Sequence, residues 1–254
     1  MRDGLTVNEI KRLGLLQNSQ ERREQGTYLI EGPHLLMEAL ATNQRIFLVI
    51  MSDERPLDLD LQTRLTDKGI KVVTVSLSQL KKISGLQNPV GPLAEVALFT
   101  ADDWVGGPVI YCDRIQDPGN LGTIIRTAAA TQTAVALGPG CADLFNLKTL
   151  RGTQGALWRT PVFAVPSEAE FFACAALNKY QIFGLVPREG EKLFTIQFPK
   201  RSVIIIGNEG AGISPALIEK TQKVTIPLWS GVESLNAATA AALVLYEMKR
   251  KNDA

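Results

Sequence analysis

Glycines follow a run of branched apolar residues in the stretch IIIGNEGAGIS, residues 204–214. They are Gly207, Gly210 and Gly212, and Glu209 stands among them. Glycines after a buried strand let the backbone approach a ligand closely. A dinucleotide fingerprint needs glycines at positions i, i+2 and i+5, whereas here they fall at i, i+3 and i+5, and the carboxylate of Glu209 would repel a pyrophosphate. The stretch therefore favours a ligand that carries no phosphate, or one that is positively charged.

Other motifs for phosphate, metal or triad chemistry are absent from the sequence. The stretch GPGCAD (138–143) begins like a dinucleotide fingerprint but has Asp143 where the third glycine belongs, and no glycine precedes Lys-Ser or Lys-Thr at P-loop spacing. His34 is the only histidine, which argues against a Ser-His-Asp triad and against a His-rich metal centre. We expect no metal, and a nicotinamide-dependent oxidoreductase is the weakest hypothesis.

A second candidate stretch is DRIQDPGNLGTIIRTAAA, residues 113–130. Asp-Pro-Gly at 117–119 is a strong turn sequence, and Asn120 stands ahead of a helical run that it could cap. Arg126 follows six residues later, so we expect it on roughly the same side of the helix as Asn120. Two interpretations stay open: a turn, a cap and a solvated arginine, or an arginine that clamps an anion in a cleft.

A third candidate stretch is IPLWSGVESLNAATAAALVLYEMKR, residues 226–250. It predicts a strand, a loop that contains Gly231, and an alanine-rich helix. Ser234 and Asn236 are both residue types that cap helices. The small side chains would let another backbone pack very close, which suits either a tight core or a subunit contact.

The elements that must position these residues alternate between strands and helices. Strand-like runs lie at 45–51, 71–76, 94–99, 108–114, 133–138, 161–166, 181–186, 202–207 and 223–228, and helical patterns at 33–42, 121–131, 167–177, 215–222 and 235–250. Such alternation predicts parallel sheets covered on both faces. The segment TADDWVGGP (100–108) is the best boundary, so we expect two α/β domains, at 1–100 and 107–254.

Composition is that of a globular protein, with 254 residues, 45% of them apolar and 21% charged. No apolar run approaches the roughly 18 residues that span a membrane, and the N-terminus lacks the apolar core of a signal peptide, so we expect a cytoplasmic protein. The spacing of Cys112, Cys141 and Cys174 predicts buried free thiols. A net charge of +1 gives no bulk indication of nucleic acid.

The three stretches, in this order, resemble the motifs of the SpoU family of RNA ribose methyltransferases, within the SPOUT superfamily. The matching segments are DPGNLGTIIRTAAA, IIGNEGAGIS and IPLWSGVESLNAATA, with NLKTLRGTQGALWRTPV (146–162) between the first two. The segments GTYLIEGPHLLMEAL (26–40) and NPVGPLAEV (88–96) resemble the substrate-binding domain common in that family. The resemblance implies an α/β fold whose C-terminal domain is a deep trefoil knot, preceded by a smaller α/β substrate-binding domain.

The resemblance also implies the reaction and the residues that perform it. S-adenosylmethionine would bind in the knot, and a ribose 2′-hydroxyl of RNA would attack its methyl carbon. By position, the cofactor-binding residues are Gly207, Ile226 and Leu235, with Gly138 and Leu228, and the catalytic set is Asn120, Arg126, Glu209, Ser234 and Asn236. Because a guanidinium stays protonated, Arg126 is expected to grip the phosphate next to the target ribose rather than to act as a base.

The resemblance further implies RNA as a partner and a homodimer with the site near the interface. The expected RNA contacts are Arg114, Lys148, Arg151 and Arg159, with Lys11, Arg12, Arg22 and Arg23 near the N-terminus. An N-terminal extension of this length favours ribosomal RNA of the large subunit, by analogy. Transfer RNA as the target, and a catalytically silent RNA-binding protein on the same scaffold, remain the alternatives.

Overall fold

The computed structural model describes residues 4–86, 88–89, 91–99, 104 and 106–252. Contacts divide the chain into two compact units, one formed by Met1–Phe99 with Phe145–Trp158 and the other by Thr100–Leu144 with Arg159–Ala254. Most of the expected boundary segment, at 100–103 and 105, lies outside the described residues. The expected second domain, 107–254, contains a short segment that belongs to the first unit in the structure.

The first unit has a four-stranded sheet in the order β1-β4-β2-β3. Its strands are β1 (Thr27–Glu31), β2 (Ile46–Ser52), β3 (Val72–Val75) and β4 (Leu93–Ala97). β2 pairs parallel with β3, but β4 lies between β1 and β2 and is antiparallel to both. The expectation of a parallel sheet is therefore wrong for this unit, because β4 runs against both of its neighbours.

Five described helices of the first unit lie before residue 100, and all but the third begin after a residue whose side chain accepts a hydrogen bond from a free backbone N–H group. They are α1 (Val7–Leu15), α2 (Ser19–Gln25), α3 (Pro33–Ala41), α4 (Leu59–Asp67) and α5 (Leu77–Ser84). In α1 the Thr6 hydroxyl accepts from the backbone N–H of Glu9, while the Glu9 carboxylate accepts from the backbone N–H of Thr6. This reciprocal capping fixes the start of the helix.

The second unit has a seven-stranded sheet in which every pairing is parallel, as expected, in the order β7-β6-β5-β10-β8-β11-β9. Its strands are β5 (Val109–Cys112), β6 (Ala134–Leu137), β7 (Val162–Ala164), β8 (Gln181–Leu185), β9 (Glu191–Lys192), β10 (Ser202–Ile206) and β11 (Gln222–Thr225). Each of the nine runs predicted from the sequence overlaps a strand, whereas β1 and β9 were not predicted.

The remaining helices are α6 (Pro118–Ala130), α7 (Leu147–Thr153), α8 (Glu168–Leu177), α9 (Pro215–Ile218) and α10 (Ala237–Asn252). The predicted helix at 215–222 ends at Ile218, because β11 begins at Gln222. α6 packs against α10. Among the described residues, every helix is too short or too polar to cross a membrane.

The segment 145–158, which contains α7, belongs to the first unit through aromatic and ionic contacts. The Phe145 ring lies 4.6 Å from that of Tyr28, and the Trp158 Nε1–H donates to the Tyr28 hydroxyl at 3.0 Å. Arg151 forms an ion pair at 3.0 Å with the buried carboxylate of Glu31. These contacts hold a piece of the SpoU-like sequence on the N-terminal sheet.

The cysteines are free, as expected. Cys112 is buried in β5, while Cys141 and Cys174 are half-buried. Burial is the main cause that raises the pKa of the Cys112 thiol, and it also raises the pKa of Cys141 to about 11. The thiols of Cys112 and Cys141 are therefore protonated at neutral pH, and neither is poised as a nucleophile.

Strand order in the second unit creates a crevice. The chain leaves β5 towards its neighbour β6 on one side and leaves β10 towards β11 on the other side. At such a reversal the loops that follow two adjacent parallel strands diverge, and ligands bind in the crevice at their carboxyl ends. The loops at 113–117 and 207–214 flank this crevice. Each of these loops is part of one of the three candidate stretches.

The C-terminal helix α10 is anchored by a lysine. The Lys251 ammonium donates to the carbonyls of Phe194 at 3.0 Å and Ile196 at 2.6 Å, and pairs with Glu247 at 3.3 Å. Replacing Lys251 with methionine is expected to lower the free energy of unfolding by about 2 kcal/mol, because the part-buried Ile196 carbonyl and the Glu247 carboxylate lose a charged donor. Chemical denaturation measures this loss.

The matched control is Lys249→Met, because the Lys249 ammonium donates to exposed Gln132 at 3.2 Å. That variant is expected to lose less than about 0.5 kcal/mol, as is usual for surface substitutions. Equal losses in the two variants would contradict the proposed anchor.

Candidate functional site

A cavity of about 520 Å³ lies in the second unit, on the side of the loop 207–214 that faces β8 and β11. Its walls come from the ends of three neighbouring strands and from the loop that leads into α10. At the ends of the strands the lining residues are Leu185, Val186 and Pro187 for β8, Ile206 to Ile213 for β10, and Ile226 and Leu228 for β11. The others are Ile218 of α9 and, before and within α10, Glu233, Ser234, Leu235, Ala237 and Ala240. Glu209 and Glu233 are the charged side chains among them.

The loop 207–214 closes on itself beside the cavity. Asn208 and Gly212 exchange backbone hydrogen bonds of 3.0 and 2.9 Å, and the Asn208 side-chain oxygen accepts from the N–H groups of Gly210 and Ala211, at 3.0 Å each. A β-carbon at Gly207 would lie 2.3 Å from the backbone of Gly212. The close approach that requires a glycine at position 207 is therefore made by the chain itself rather than by a ligand.

A chain of side-chain hydrogen bonds connects the three candidate stretches. The Asn120 amide N–H donates to Glu209 at 2.8 Å, and the Asn236 amide N–H donates to the Asn120 side-chain oxygen at 2.9 Å. Asn236 also caps α10, because its side-chain oxygen accepts from the N–H groups of Ala238 and Thr239. Both ends of the Asn120 amide are thus fixed by residues from distant parts of the sequence.

The helix cap predicted at Asn120 is wrong. α6 begins at Pro118, and its N-cap is Asp117, whose carboxylate accepts from the backbone N–H of Asn120 at 2.7 Å. Asn120 lies in the first turn of the helix, which leaves its side chain available to bond Glu209. Of the two caps predicted for α10, Asn236 is confirmed, whereas Ser234 is an exposed residue of the loop before the helix.

Comparison with family models and with known relatives shows which family the chain belongs to. Residues 107–246 match the model described as the SpoU rRNA Methylase family, and residues 8–94 match the MRM3-like substrate binding domain. The chain belongs to the SpoU rRNA methylase family. It is 36% identical to the 23S rRNA (guanosine(2553)-2′-O)-methyltransferase RlmP of Bacillus subtilis, over 92% of this chain and 93% of that protein.

Solved structures agree with this SpoU assignment. The AdoMet-bound rRNA methyltransferase from Sinorhizobium meliloti superposes with a TM-score of 0.83 at 26% identity, over 97% of this chain and 96% of that one. The SpoU methyltransferase AviRb from Streptomyces viridochromogenes gives a TM-score of 0.86 at 23% identity, over 98% of this chain and 99% of that one. At its lower identity, AviRb supports the fold alone.

Four of the five residues predicted to bind the cofactor in this SpoU domain line the cavity: Gly207, Ile226, Leu228 and Leu235. Gly138 is not a lining residue. A β-carbon there would lie 2.3 Å from the Tyr111 hydroxyl oxygen, so this glycine makes room for a buried tyrosine. The roles of all five residues in cofactor binding stay predictions.

The catalytic residues predicted from the SpoU resemblance fall into two groups. Asn120, Glu209 and Asn236 form the hydrogen-bonded chain, and Ser234 lines the cavity. Arg126 is exposed on α6 and makes no hydrogen bond or ion pair with any residue that the structure describes. Six residues at about 100° each place Arg126 about 120° around the axis from Asn120, so the expectation that both share one side of the helix is wrong.

Two of the four predicted RNA contacts are held by carboxylates of this chain. Arg114 binds Asp113 with two hydrogen bonds of 3.0 and 3.1 Å, and Arg151 pairs with Glu31. Both guanidinium groups therefore have structural partners, and their contact with RNA stays a prediction. Two predicted contacts have exposed side chains, Lys148 and Arg159.

The basic residues near the N-terminus that were predicted to contact RNA likewise include some with partners in the chain and some that are exposed. Arg12 donates to the buried carboxylate of Glu95 at 2.7 and 2.8 Å. Burial alone would raise the pKa of Glu95, but hydrogen bonds from Arg12 and Thr27 outweigh it and lower the pKa. Arg22 is buried and donates to the Leu16 carbonyl at 2.6 Å. The exposed members of the group are Lys11 and Arg23.

Sequence reasoning missed two sets of site residues. Asn208, which closes the loop beside the cavity, lies within the second SpoU motif between Gly207 and Gly210. The segment 185–187 lines the cavity at the end of β8. The sequence could have indicated this segment, because ligands of open parallel sheets bind outside the carboxyl ends of the strands.

Proposed function

We propose that this chain is an S-adenosylmethionine-dependent methyltransferase that methylates a ribose 2′-hydroxyl of large-subunit ribosomal RNA. The observation that carries the proposal is the chemistry of the cavity in the SpoU domain. Its lining is mainly apolar side chains and glycine backbone with the neutral polar residues Asn208 and Ser234, and its charged groups are carboxylates, with no lysine or arginine among the described lining residues. Such a site suits a nucleoside with a cationic sulfonium and disfavours a phosphate.

The proposed reaction requires little of the chain beyond alignment and a hydrogen-bond acceptor. Bound S-adenosylmethionine would supply an activated methyl group on a good leaving group. The chain must then align the ribose oxygen with that methyl group, and alignment alone can lower a barrier by roughly 7–11 kcal/mol. Asn120 donates to Glu209 Oε1 and is itself held by Asn236, whereas Glu209 Oε2 has, among the described residues, a single 3.5 Å contact with the Asn208 amide. That oxygen can accept a hydrogen bond from a ribose hydroxyl.

The choice of ribosomal RNA rests on the N-terminal half of the chain. Residues 8–94 match a substrate binding domain, and the RlmP relative, whose name states a 23S rRNA target, covers nearly the whole chain. The net charge of +1 predicts modest non-specific affinity for RNA. A cytoplasmic location belongs to the same proposal. So does the deep trefoil knot, which a crystal structure that traces residues 200–240 would test.

Calorimetry and methyl transfer test this function. We expect heat of association with S-adenosylmethionine, and label from the methyl group in nuclease-resistant dinucleotides of unmodified 23S RNA. Label found only in transfer RNA would show that the substrate is transfer RNA rather than ribosomal RNA. Cofactor binding without methyl transfer to any RNA would favour a silent RNA-binding protein. Absence of heat with the cofactor and with its demethylated product would overturn the proposal.

The proposal includes a homodimer formed through the outer face of α10, with the site near the interface. On α10, Leu243 and Tyr246 lie one turn apart and are 45% and 57% exposed. On α6, which packs against α10, Arg126 lies on the exposed face. Apolar side chains exposed on neighbouring turns of a helix are a common feature of subunit contacts.

Replacing Leu243 with glutamate tests the dimer, because it would bury a charge in the interface. We expect light scattering to show dimers for the wild type and monomers for Leu243→Glu. The matched control is Leu177→Glu on α8, where the leucine is 82% exposed. An active wild-type monomer, or the same dimer in both variants, would refute this interface.

A further inference from the structure

Arg114 has an unusual backbone conformation at the end of β5. Its φ angle is 54°, in the left-handed region that residues with a β-carbon rarely adopt. This conformation directs its carbonyl oxygen to the Asn208 amide, which donates to it at 2.9 Å. Residues with disfavoured backbone angles persist where their surroundings hold them, and they cluster at functional sites.

The Arg114 side chain reaches the other end of the loop that Asn208 begins. Its Nη2 donates to the Gly212 carbonyl at 3.3 Å, while Nε and Nη2 bind the Asp113 carboxylate. Asn208 and Gly212 are the two residues whose backbone bonds close the loop. One arginine therefore contacts both ends of the loop, through its carbonyl and its guanidinium.

Asp113 extends this contact to the end of the same loop. The carboxylate is buried, and its Oδ2 accepts from the backbone N–H of Ser214 at 2.7 Å. The Ser214 hydroxyl in turn donates to Glu168 at 2.8 Å. The Asp113 carboxylate accepts from both Arg114 and the backbone of Ser214, so it can orient both the guanidinium and the loop.

We propose that Arg114 and Asp113 are positioning residues that hold the loop 208–214 as a wall of the cofactor cavity. The inference rests on the proposed function, since it assigns that cavity to S-adenosylmethionine. It also reassigns Arg114, which the sequence predicted as an RNA contact. The guanidinium has three hydrogen bonds within the chain, and breaking them to reach a phosphate would leave Asp113 unpaired.

Binding measurements on variants of Arg114 test the proposal. Arg114→Ala is expected to weaken S-adenosylhomocysteine binding about tenfold, or about 1.4 kcal/mol, without changing the affinity for 23S RNA. Arg114→Lys, which keeps one donor and the charge, is expected to recover part of the loss. In steady-state assays the KM for the cofactor should rise more than kcat falls. The control Arg64→Ala removes an arginine whose ion pair with Asp60 is exposed, and should match the wild type.

The outcomes separate the possible roles of Arg114. Weaker RNA binding with unchanged cofactor affinity would overturn the proposal and restore Arg114 as an RNA contact. Unchanged affinity for both ligands would also overturn it. A lowered melting temperature with no rise in the KM for the cofactor would also overturn the proposal, because Arg114 and Asp113 would then serve only the stability of the fold. If the wild type itself binds no cofactor, it is the proposed function that fails.

Discussion

Replacing Arg126 with alanine is expected to lower kcat for methyl transfer by about 10²–10³-fold, the usual cost of removing one donor that stabilises charge in a transition state. The guanidinium lies on the exposed face of α6 and has no partner among the described residues, so it is free to bind the phosphate beside the target ribose. Because Arg126 does not line the cavity, the cofactor affinity should not change.

Two further variants make the Arg126 prediction specific. Arg126→Lys keeps the charge but loses the fork that grips two phosphate oxygens, so it should recover only part of the rate. Thr123→Ala alters the same exposed face, and the Thr123 hydroxyl bonds only the Gly119 carbonyl within the helix. That control should keep the wild-type rate. Full activity of Arg126→Ala, with a normal oligomeric state, would remove this residue from the mechanism.

The strands that position the site could be predicted because they are buried on both faces. Every residue of β5 and β10 is buried, and all of them except Ser202 are apolar, which is the pattern of a central parallel strand. The antiparallel direction of β4 could not be predicted, since it depends on pairing with strands about 45 and 65 residues earlier in the chain. β1 is also fully buried, but Thr27 and Glu31 interrupt its apolar pattern, so its five residues do not form a continuous apolar run.

Within the site, residue types were predicted better than their contacts. Asn120, Glu209 and Asn236 could be named from their motifs, but the hydrogen bonds that join them depend on the tertiary fold. The position of the α6 cap could have been found, because Pro118 is favoured at the first position of a helix and so indicates Asp117 as the cap. Gly138 resembles a ligand-binding glycine in sequence, yet the space beside it is filled by Tyr111.

The other substitution with a large expected effect, here on cofactor affinity, is at Gly207. Replacing it with alanine would place a β-carbon 2.3 Å from the Gly212 carbonyl carbon and from the Ile213 nitrogen. Backbone atoms cannot move aside as a flexible side chain can, so the loop would have to open and break the bonds between Asn208 and Gly212. We expect cofactor affinity to fall about hundredfold, or about 2.8 kcal/mol, together with the melting temperature.

Gly210 provides the matched control for this prediction. A β-carbon there would meet only the Asn208 side-chain oxygen, at 3.7 Å, which is an ordinary contact distance. Gly210→Ala should therefore bind cofactor like the wild type, although it changes the same loop and the same motif. If both variants lose affinity equally, a ligand rather than the backbone of residues 212–213 requires these glycines. If Gly207→Ala binds normally, the closed loop does not form the cavity wall in solution.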